Sequence, residues 1–480
     1  MTQIRWVCAS DLHLGALNSV LTNVTDDGTG VDVRAPSPVM AALGDCLRTL
    51  PVGGTAPQLV ILGDLFELAL TSTDVAATTF GHLVSVLRLG QPDAAVSPAI
   101  RFVPGNHDHR LWTRARDDHL VNYLESAPLG SPLLGVDHVT SLLPPRPPQA
   151  VRDRFIEALA NRGGLPQRVE VEQSYPNLGL VDANAERAVV MSHGHFTEPI
   201  YRLMSGLDDI FGSPRRTVDA ATLEADNGGW IDFFWSSMGD SGDVSGEVRR
   251  MYESLNSVAD MDAEITAIAR AIRGQRRPRT IARVEARVAA RLLRAGVSES
   301  RNRERHQRGN AVMAPKTAAG LLTYLEGPVA TQLGHEVGHP VHTTFVFGHT
   351  HKPFVQEHTL AGFPGPVRVV NTGGWVVDST VPEPVKGAVI VLIDDDLNVA
   401  ILHCYQQGSD PSAYRVQIKA PGEEPNPLVE QLSAAIDPAR DPWLSLAEAA
   451  AAAVAARSRQ LASRLTSDIH SLETAADKAH

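Results

Sequence analysis

Short apolar runs that end in polar residues recur along the chain. Toward the N-terminal end these runs are "IRWVCAS", "LVILG" and "IRFVPG". A run that is apolar at nearly every position is typical of a strand buried on both faces. Helix-like stretches at 39–50 and 74–89 separate the runs, and this alternation of strands and helices predicts an α/β fold.

Further apolar runs extend the predicted sheet structure. "RAVVMSHG", "TTFVFGH" and "VRVVNTGG" each predict a strand that leads into polar residues. "GAVIVLID" and "VAILHCY" stand on either side of "DDLN", which predicts a hairpin that completes a sheet. The core is therefore expected to take strands from both halves of the chain.

Two long intervals interrupt the strand pattern. Residues 113–187 include the Pro-rich "LLPPRPPQ" and predict loops with one short helix near 151–161. Residues 198–335 are mostly helical in pattern and predict a cap-like insertion. The core is accordingly expected to comprise residues 1–197 and 336–420.

The end of the chain predicts one long helix within 440–480. Ser445 and Glu448 have the spacing of a capping box. Apolar residues from Leu446 to Leu472 then fall three, four or seven positions apart, which places them on one helical face. Two uses of this face stay open: packing against the chain's own core, or contact with a second copy in a homodimer.

The net charge of -12 argues against a protein that binds polyanions over its whole surface. The charge is uneven, because segment 270–308 contains thirteen Arg and only three acidic residues. That segment predicts either a solvated helix face or a site for a phosphate-rich ligand or nucleic acid. It contains no aromatic residue, so the stacking that binds single strands is not expected there and nucleic acid is not the favoured partner.

Cysteine content and hydrophobic runs bear on the cellular compartment. Cys8, Cys46 and Cys404 are odd in number and widely spaced, which predicts reduced core thiols and no disulfide framework. The chain has no run of roughly eighteen or more apolar residues and starts directly with a strand-like stretch. We therefore expect a soluble, cytoplasmic protein without a transmembrane segment.

Polar clusters follow the predicted strands, and their residue types bind divalent metal ions. The carboxyl ends of parallel strands meet at one edge of a sheet, so clusters distant in sequence are expected to converge. In an extended chain residues i and i+2 point to the same side, so each D-x-H or H-x-H pair can aim two ligands at one point. Carboxylate, imidazole and amide groups without thiolates suit Mn²⁺, Fe²⁺ or Zn²⁺. The clusters are Asp11-x-His13, Gly63-Asp64, Gly105-Asn106-His107-Asp108, His193 and Gly348-His349-x-His351.

This order of clusters resembles the pattern of the calcineurin-like metallophosphoesterase superfamily: D-x-H, G-D, G-N-H-D/E, H and G-H-x-H. The resemblance covers residues 4–112, 187–197 and 343–405. It implies a two-sheet sandwich flanked by helices and a hydrolase of phosphoric esters that depends on two divalent metal ions, with Mn²⁺ favoured over Fe²⁺ or Zn²⁺. A hydroxide that bridges the two ions would attack a phosphomonoester, a phosphodiester or a diphosphate.

The resemblance also implies a role for each cluster residue. His107 would stand beside the scissile phosphate and donate to its oxygens or protonate the leaving group. Asp108 would orient its neighbours. The metal ligands would be Asp11, His13 and His351 on one ion, Asn106, His193 and His349 on the other, and Asp64 as the bridge between the two.

The stretches "SDLHLG", "GDLFE" and "NTGGW" resemble the branch of the superfamily that includes UDP-2,3-diacylglucosamine pyrophosphatases. A phosphorylated small molecule or a lipid-linked substrate is therefore expected, although that branch typically has Arg where this chain has His107. Two other functions stay open. One is a nuclease of the same superfamily in which the Arg-rich segment contacts DNA or RNA; the other is a non-catalytic, metal-dependent interaction module.

Three further signals have competing interpretations. "HEVGH" at 335–339 matches the zinc-protease pattern H-E-x-x-H, which needs a helix through both histidines. Pro340 disfavours that helix, so a loop is expected. "WIDFFWSSM" at 230–238 predicts the core of the insertion or, alternatively, an apolar substrate pocket. His109 is expected to be an ordinary loop histidine, the alternative being a contact to substrate or to a ligand.

Overall fold

A computed structural model gives the fold of the chain. The part that it describes is mixed α/β, with two mixed sheets of eight and five strands, which confirms the predicted fold class at this level. The Arg-rich segment 270–308 lies outside that part, so what was predicted for it stays a prediction. The described residues are 2–133, 137–144, 150–205, 218–237 and 311–478.

The larger sheet combines strands from both ends of the chain. Its strands are β1 (Ile4–Ala9), β2 (Gln58–Leu62), β3 (Ala99–Val103), β4 (Val151–Arg152), β5 (Glu170–Gln173), β11 (Gly387–Asp394), β12 (Val399–Gln406) and β13 (Gln417–Lys419). They lie in the order β13-β12-β11-β1-β2-β3-β5-β4. Because β1, β2, β3 and β5 run parallel, their carboxyl ends lie at one edge. β11 and β12 form the predicted antiparallel hairpin.

The smaller sheet has the order β6-β7-β8-β10-β9. Its central strands β7, β8 and β10 are parallel, and the outer strands β6 and β9 are antiparallel to them. The carboxyl ends of β7 and β8 therefore also lie together. The strands are β6 (Asn177–Val181), β7 (Arg187–Ser192), β8 (His342–Phe347), β9 (Phe354–His358) and β10 (Val367–Asn371).

The two sheets pack face to face through a buried apolar layer to which both contribute. In this layer the Sγ atom of Cys8 in β1 lies 3.6 Å from the Sδ atom of Met191 in β7. Just beyond the layer, the Nδ1 atom of His193 lies 2.9 Å from the carbonyl oxygen of Leu62, the last residue of β2. The carboxyl ends of the parallel strands of both sheets thus meet at the same place.

Helices cover the outer faces of both sheets. The predicted helices at 39–50 and 74–89 are present as α1 and α2. Local capping explains where α1 begins, because the Ser37 side chain accepts a hydrogen bond from Met40 N and Pro38 occupies the first turn. The helices are α1 (Pro38–Arg48), α2 (Thr73–Leu87), α3 (Arg110–Ser126), α4 (Arg154–Ala160), α5 (Ala220–Ile231), α6 (Pro315–Tyr324), α7 (Ala330–Glu336), α8 (Pro427–Ala435) and α9 (Trp443–Lys478).

The interval 113–187 contains more regular structure than expected. Its short helix is α4, but most of α3 and the strands β5 and β6 also lie there. The pattern missed α3 because only Leu111, Trp112 and Ala115 are buried along its seventeen residues, so no apolar stripe marks it. The proposed division into a core and insertions stays a prediction.

The C-terminal helix α9 packs on the chain's own core. Leu446, Ala450 and Val454 belong to the apolar cluster that lies between the larger sheet and its helices. The capping box was wrong, because α9 begins two residues before Ser445, whose backbone N–H donates to the Asp441 carboxylate. The homodimer through this helix stays a prediction.

Two predictions from composition can be compared with the described residues. Cys8, Cys46 and Cys404 are free and buried, as expected for core thiols. Within the described ranges, no helix is both long enough and apolar enough to cross a membrane.

The packing of α9 predicts the effect of one substitution. Leu446→Ala removes a fully buried side chain and should lower the free energy of unfolding by about 2–5 kcal/mol, measured by urea denaturation. Glu448→Ala on the exposed side of the same helix is the control and should change it by less than about 0.5 kcal/mol. Equal midpoints for Leu446→Ala and wild type would contradict this packing.

Candidate metal centre

The strand ends bring all seven predicted ligands into one buried region. They lie in the loops that directly follow β1, β2, β3, β7 and β8. Each of the seven is at most 2% exposed. The parallel strands of both sheets therefore produce the convergence that the sequence predicts. The residues are Asp11, His13, Asp64, Asn106, His193, His349 and His351.

The backbone at five of these residues is left-handed rather than extended. Asp11, His13, Asp64, His349 and His351 have φ between 44° and 69°, a conformation that costs non-glycine residues on the order of 1–3 kcal/mol each. The extended geometry expected for the i, i+2 pairs was therefore wrong. Asp11 and His13 still share one group of ligand atoms, but His349 and His351 belong to different groups.

Two glycines allow the loops to approach each other. A Cβ atom on Gly105 would overlap the Asp64 carboxylate, and a Cβ atom on Gly348 would overlap the Asp11 carboxylate. Any other residue at either position would displace a predicted ligand.

The first group of ligand atoms comes from Asp11, His13 and His351. The Nε2 atom of His351 lies 3.3 Å from Asp11 Oδ1 and 3.3 Å from His13 Nε2. These three buried residues are the ones assigned to one ion, and their geometry could hold a metal ion.

The second group comes from Asp64, His193 and His349. The Nε2 atom of His193 lies 3.2 Å from His349 Nδ1 and 3.1 Å from Asn106 Oδ1. Asp64 also approaches the first group, because its Oδ2 atom lies 3.5 Å from His193 Nε2 and 3.4 Å from His13 Nε2. Asp64 therefore stands between the two groups, where a bridging ligand is expected.

In each of the four histidine ligands one ring nitrogen faces an outer oxygen and the other faces the centre. The outer contact is a hydrogen bond in His13, His193 and His351, and an ion-pair contact with Glu198 in His349. The outer acceptor holds the ring proton, so the inner nitrogen presents a lone pair. Inner nitrogens that face each other at 3.2–3.3 Å repel unless a cation lies between them, so this donor set fits divalent metal ions. The outer pairs are His13 Nδ1 with Glu67 Oε2 at 3.0 Å, His351 Nδ1 with Asp378 Oδ2 at 2.8 Å, His349 Nε2 with Glu198 Oε1 at 2.8 Å, and His193 Nδ1 with the Leu62 carbonyl oxygen at 2.9 Å.

Glu67 links the ligands to His107, a role that the sequence analysis missed. Its Oε2 atom lies 3.0 Å from His13 Nδ1 and its Oε1 atom lies 2.6 Å from His107 Nδ1. Burial alone would raise the pKa of Glu67, but His107 and His13 outweigh burial and hold it well below its usual value. The sequence signal for this role was an acidic residue, Glu67, three positions after Asp64 in "GDLFE".

Asp108 connects two loops and does not belong to either ligand group. Its carboxylate accepts hydrogen bonds from the backbone N–H groups of Gly105, Leu65 and Phe66 at 2.7–3.2 Å. Burial, followed by the charge of Asp64, raises the pKa of Asp108 to about 7, and these N–H donors oppose that rise. Asp108 thus joins the loop after β2 to the loop after β3.

The two interpretations of "WIDFFWSSM", an apolar core or a substrate pocket, can now be compared with the structure. Ile231 and Trp235 are buried in the core of the smaller sheet and its helices, which favours a structural role for this part of "WIDFFWSSM". Phe233 is 66% exposed. Met238 and the side chain of Phe234 lie outside the described part.

The zinc-protease pattern does not form its site. Helix α7 extends to Glu336, which corrects the expected loop, but it ends before His339. Glu336 accepts hydrogen bonds from the backbone N–H groups of Leu142 and Leu143. His335 and Glu336 line a cavity of about 980 Å³ to which none of the seven predicted ligands contributes.

His109 is not an ordinary loop histidine. It is fully buried, and both its ring nitrogens face carboxylates of the segment that begins with α5: Glu224 and Asp232. More than a hundred residues separate His109 from Glu224 and Asp232 in sequence, so no local sequence pattern could reveal the contact.

Neither a scan against protein-family models nor a search of curated proteins gives a match for this chain. The chemistry of the centre therefore has to be inferred from its own residues. Those residues form buried clusters of His, Asp and Glu that could hold metal ions.

The position of Asp64 between the two groups predicts a loss of metal binding. Asp64→Asn should weaken Mn²⁺ binding by at least about tenfold, measured by calorimetry, because the bridging charge is lost. Asp394→Asn, at a buried aspartate that ends β11, is the control and should bind Mn²⁺ as wild type does. Unchanged affinity in Asp64→Asn would argue against a bridging role.

Proposed function

We propose that the protein is a hydrolase of phosphoric esters that depends on two divalent metal ions and belongs to the calcineurin-like metallophosphoesterase superfamily. The observation that carries this proposal is the position of Asp64, whose carboxylate lies between two buried ligand groups. The five sequence motifs in superfamily order support it, and so does the His107–Glu67 pair beside the first group.

Mn²⁺ is the first candidate because of the family resemblance, with Fe²⁺ or Zn²⁺ as alternatives; the donor set of imidazoles, carboxylates and one amide suits all three ions. Asp11, His13 and His351 would hold one ion; Asn106, His193 and His349 would hold the other, with Asp64 between them. Bound divalent ions supply a water of lowered pKa and neutralise the charge of the phosphate oxygens.

His107 would act on the substrate phosphate. Its backbone N–H donates to Asp64 Oδ1 at 2.8 Å, which fixes the position of the residue beside the ligands. Its Nδ1 atom is held by Glu67, and this carboxylate stabilises a positive charge on the ring. A positively charged imidazole can donate through Nε2 to a phosphate oxygen or give a proton to the leaving group.

The substrate class proposed is a phosphorylated small molecule or a lipid-linked diphosphate, which follows the resemblance to the diphosphatase branch. Whether a monoester or a diester is preferred is the question for the assay below. The non-catalytic interaction module is an alternative outcome of that assay, and the nuclease stays a second alternative.

The direct test is hydrolysis of bis-p-nitrophenyl phosphate and p-nitrophenyl phosphate by protein stripped of metal and reloaded with Mn²⁺. Activity should return together with about two bound metal ions per chain, measured by elemental analysis. Two bound ions with no turnover on any phosphoester would favour the interaction module. A protein that binds no metal would overturn the proposal.

His107→Ala separates chemistry from metal binding. Because His107 belongs to neither set of assigned ligands, this variant should keep its Mn²⁺ content while kcat falls by roughly 10²–10⁴-fold. His119→Ala, on helix α3, is the matched control and should retain wild-type kcat. Wild-type activity of His107→Ala would remove His107 from the mechanism.

A further inference from the structure

His109 lies buried between two carboxylates. Its Nδ1 atom is 2.7 Å from Asp232 Oδ1 and its Nε2 atom is 3.1 Å from Glu224 Oε2. Carboxylate oxygens only accept, so these two contacts favour a proton on each ring nitrogen and therefore a cationic ring. Burial alone would lower the pKa of His109, but Glu224 and then Asp232 outweigh burial and raise it to about 10.

Further hydrogen bonds join the same two pieces of chain. The Thr113 hydroxyl donates to Asp232 Oδ2 at 2.7 Å, and the Arg110 backbone N–H donates to Ser236 Oγ at 2.7 Å. The first turn of α3 is therefore attached to Glu224–Ser236, which comprises the last two thirds of α5 and the π-helical turn that follows it. We call Glu224–Ser236 the docking segment.

The docking segment also reaches the candidate metal centre from the side of the smaller sheet. Trp235 packs on Tyr201 with 4.7 Å between ring centroids, and Tyr201 packs on His349 with 5.1 Å between centroids. His349 is one of the predicted ligands. The docking segment thus contacts two residues that lie near the candidate metal centre at separate places: His109 and Tyr201.

The position of His109 in the chain connects these contacts to the chemistry. It directly follows Asn106, His107 and Asp108, so a displacement of its ring displaces the residues proposed to bind metal and substrate phosphate. A misplacement of about 1 Å in such groups can cost on the order of 10²-fold in rate.

We propose that His109 is a positioning residue that clamps the docking segment onto the loop of Asn106, His107 and Asp108. The clamp sets the position of His107 on one side of the centre and of the Tyr201 ring on the other. This inference rests on the proposed function for its effect on turnover, whereas the clamp itself is a structural claim that does not depend on activity.

Hydrogen exchange of the full-length protein in Mn²⁺ buffer tests the clamp without any turnover. His109→Gln removes the cation and should speed exchange in residues 224–236 by at least about tenfold, with no change in α1. His119→Gln on the same helix α3 is the matched control and should exchange as wild type does. Unchanged exchange in 224–236 of folded His109→Gln would overturn the clamp, and so would faster exchange throughout the protein.

Thr113→Val provides a second, milder variant in case His109→Gln does not fold. It removes one hydrogen bond to Asp232 and leaves the three charged groups in place. Faster exchange confined to 224–236 supports the clamp, and wild-type exchange there overturns it.

Steady-state kinetics distinguish a positioning role of His109 from a general loss of protein stability. In Mn²⁺-loaded His109→Gln, kcat should fall by at least about tenfold while KM for bis-p-nitrophenyl phosphate and the Mn²⁺ content stay near wild-type values. A loss of activity that only follows a loss of bound Mn²⁺ would overturn the positioning role. If the wild-type protein hydrolyses no phosphoester at all, the proposed function fails while hydrogen exchange still decides the clamp.

Discussion

A buried carboxylate is stable only when charges or hydrogen bonds compensate its loss of water, and Asp64 has to satisfy this constraint where the two sheets meet. It is fully buried. One carboxylate oxygen accepts from the backbone of His107, and the other faces His13 and His193. The loops after β1, β2, β3 and β7 are thereby arranged around one negative charge, which is a strong reason for a cation to bind there.

The acceptors behind the histidines extend this arrangement. Glu67 and Asp378 accept hydrogen bonds from the outer ring nitrogens of His13 and His351, so the inner nitrogens of these two residues present lone pairs to the centre. Glu198 lies 2.8 Å from the outer nitrogen of His349. Glu67 has a second contact, with His107. The Glu67 carboxylate therefore orients both His13, a candidate metal ligand, and His107, the candidate general acid. This shared contact couples metal binding to the proposed chemistry.

The docking segment shows how a part of the chain that is distant in sequence can contact the surroundings of the candidate site. It lies more than a hundred residues from His109 in sequence, yet its carboxylates compensate a buried cation directly beside the loop that carries Asn106 and His107. Removing either partner of such a buried pair leaves an uncompensated charge. The docking segment and the loop with Asn106 and His107 are therefore expected to hold each other in one arrangement.

The sequence by itself determined the local helices and strands and the residue types of the candidate site. Apolar runs and capping residues act over a few positions, so β1, β2, α1 and the loops with Asp11, Asp64 and Asn106 could be predicted from them. The grouping of His351 with His13 across 338 positions, and of His349 with His193, was implied only by the family resemblance, and the tertiary structure brings these residues together. The pairing of Glu67 with His107 and of His109 with Glu224 likewise depends on how the sheets and helices pack, because no local pattern encodes contacts between distant parts of the chain.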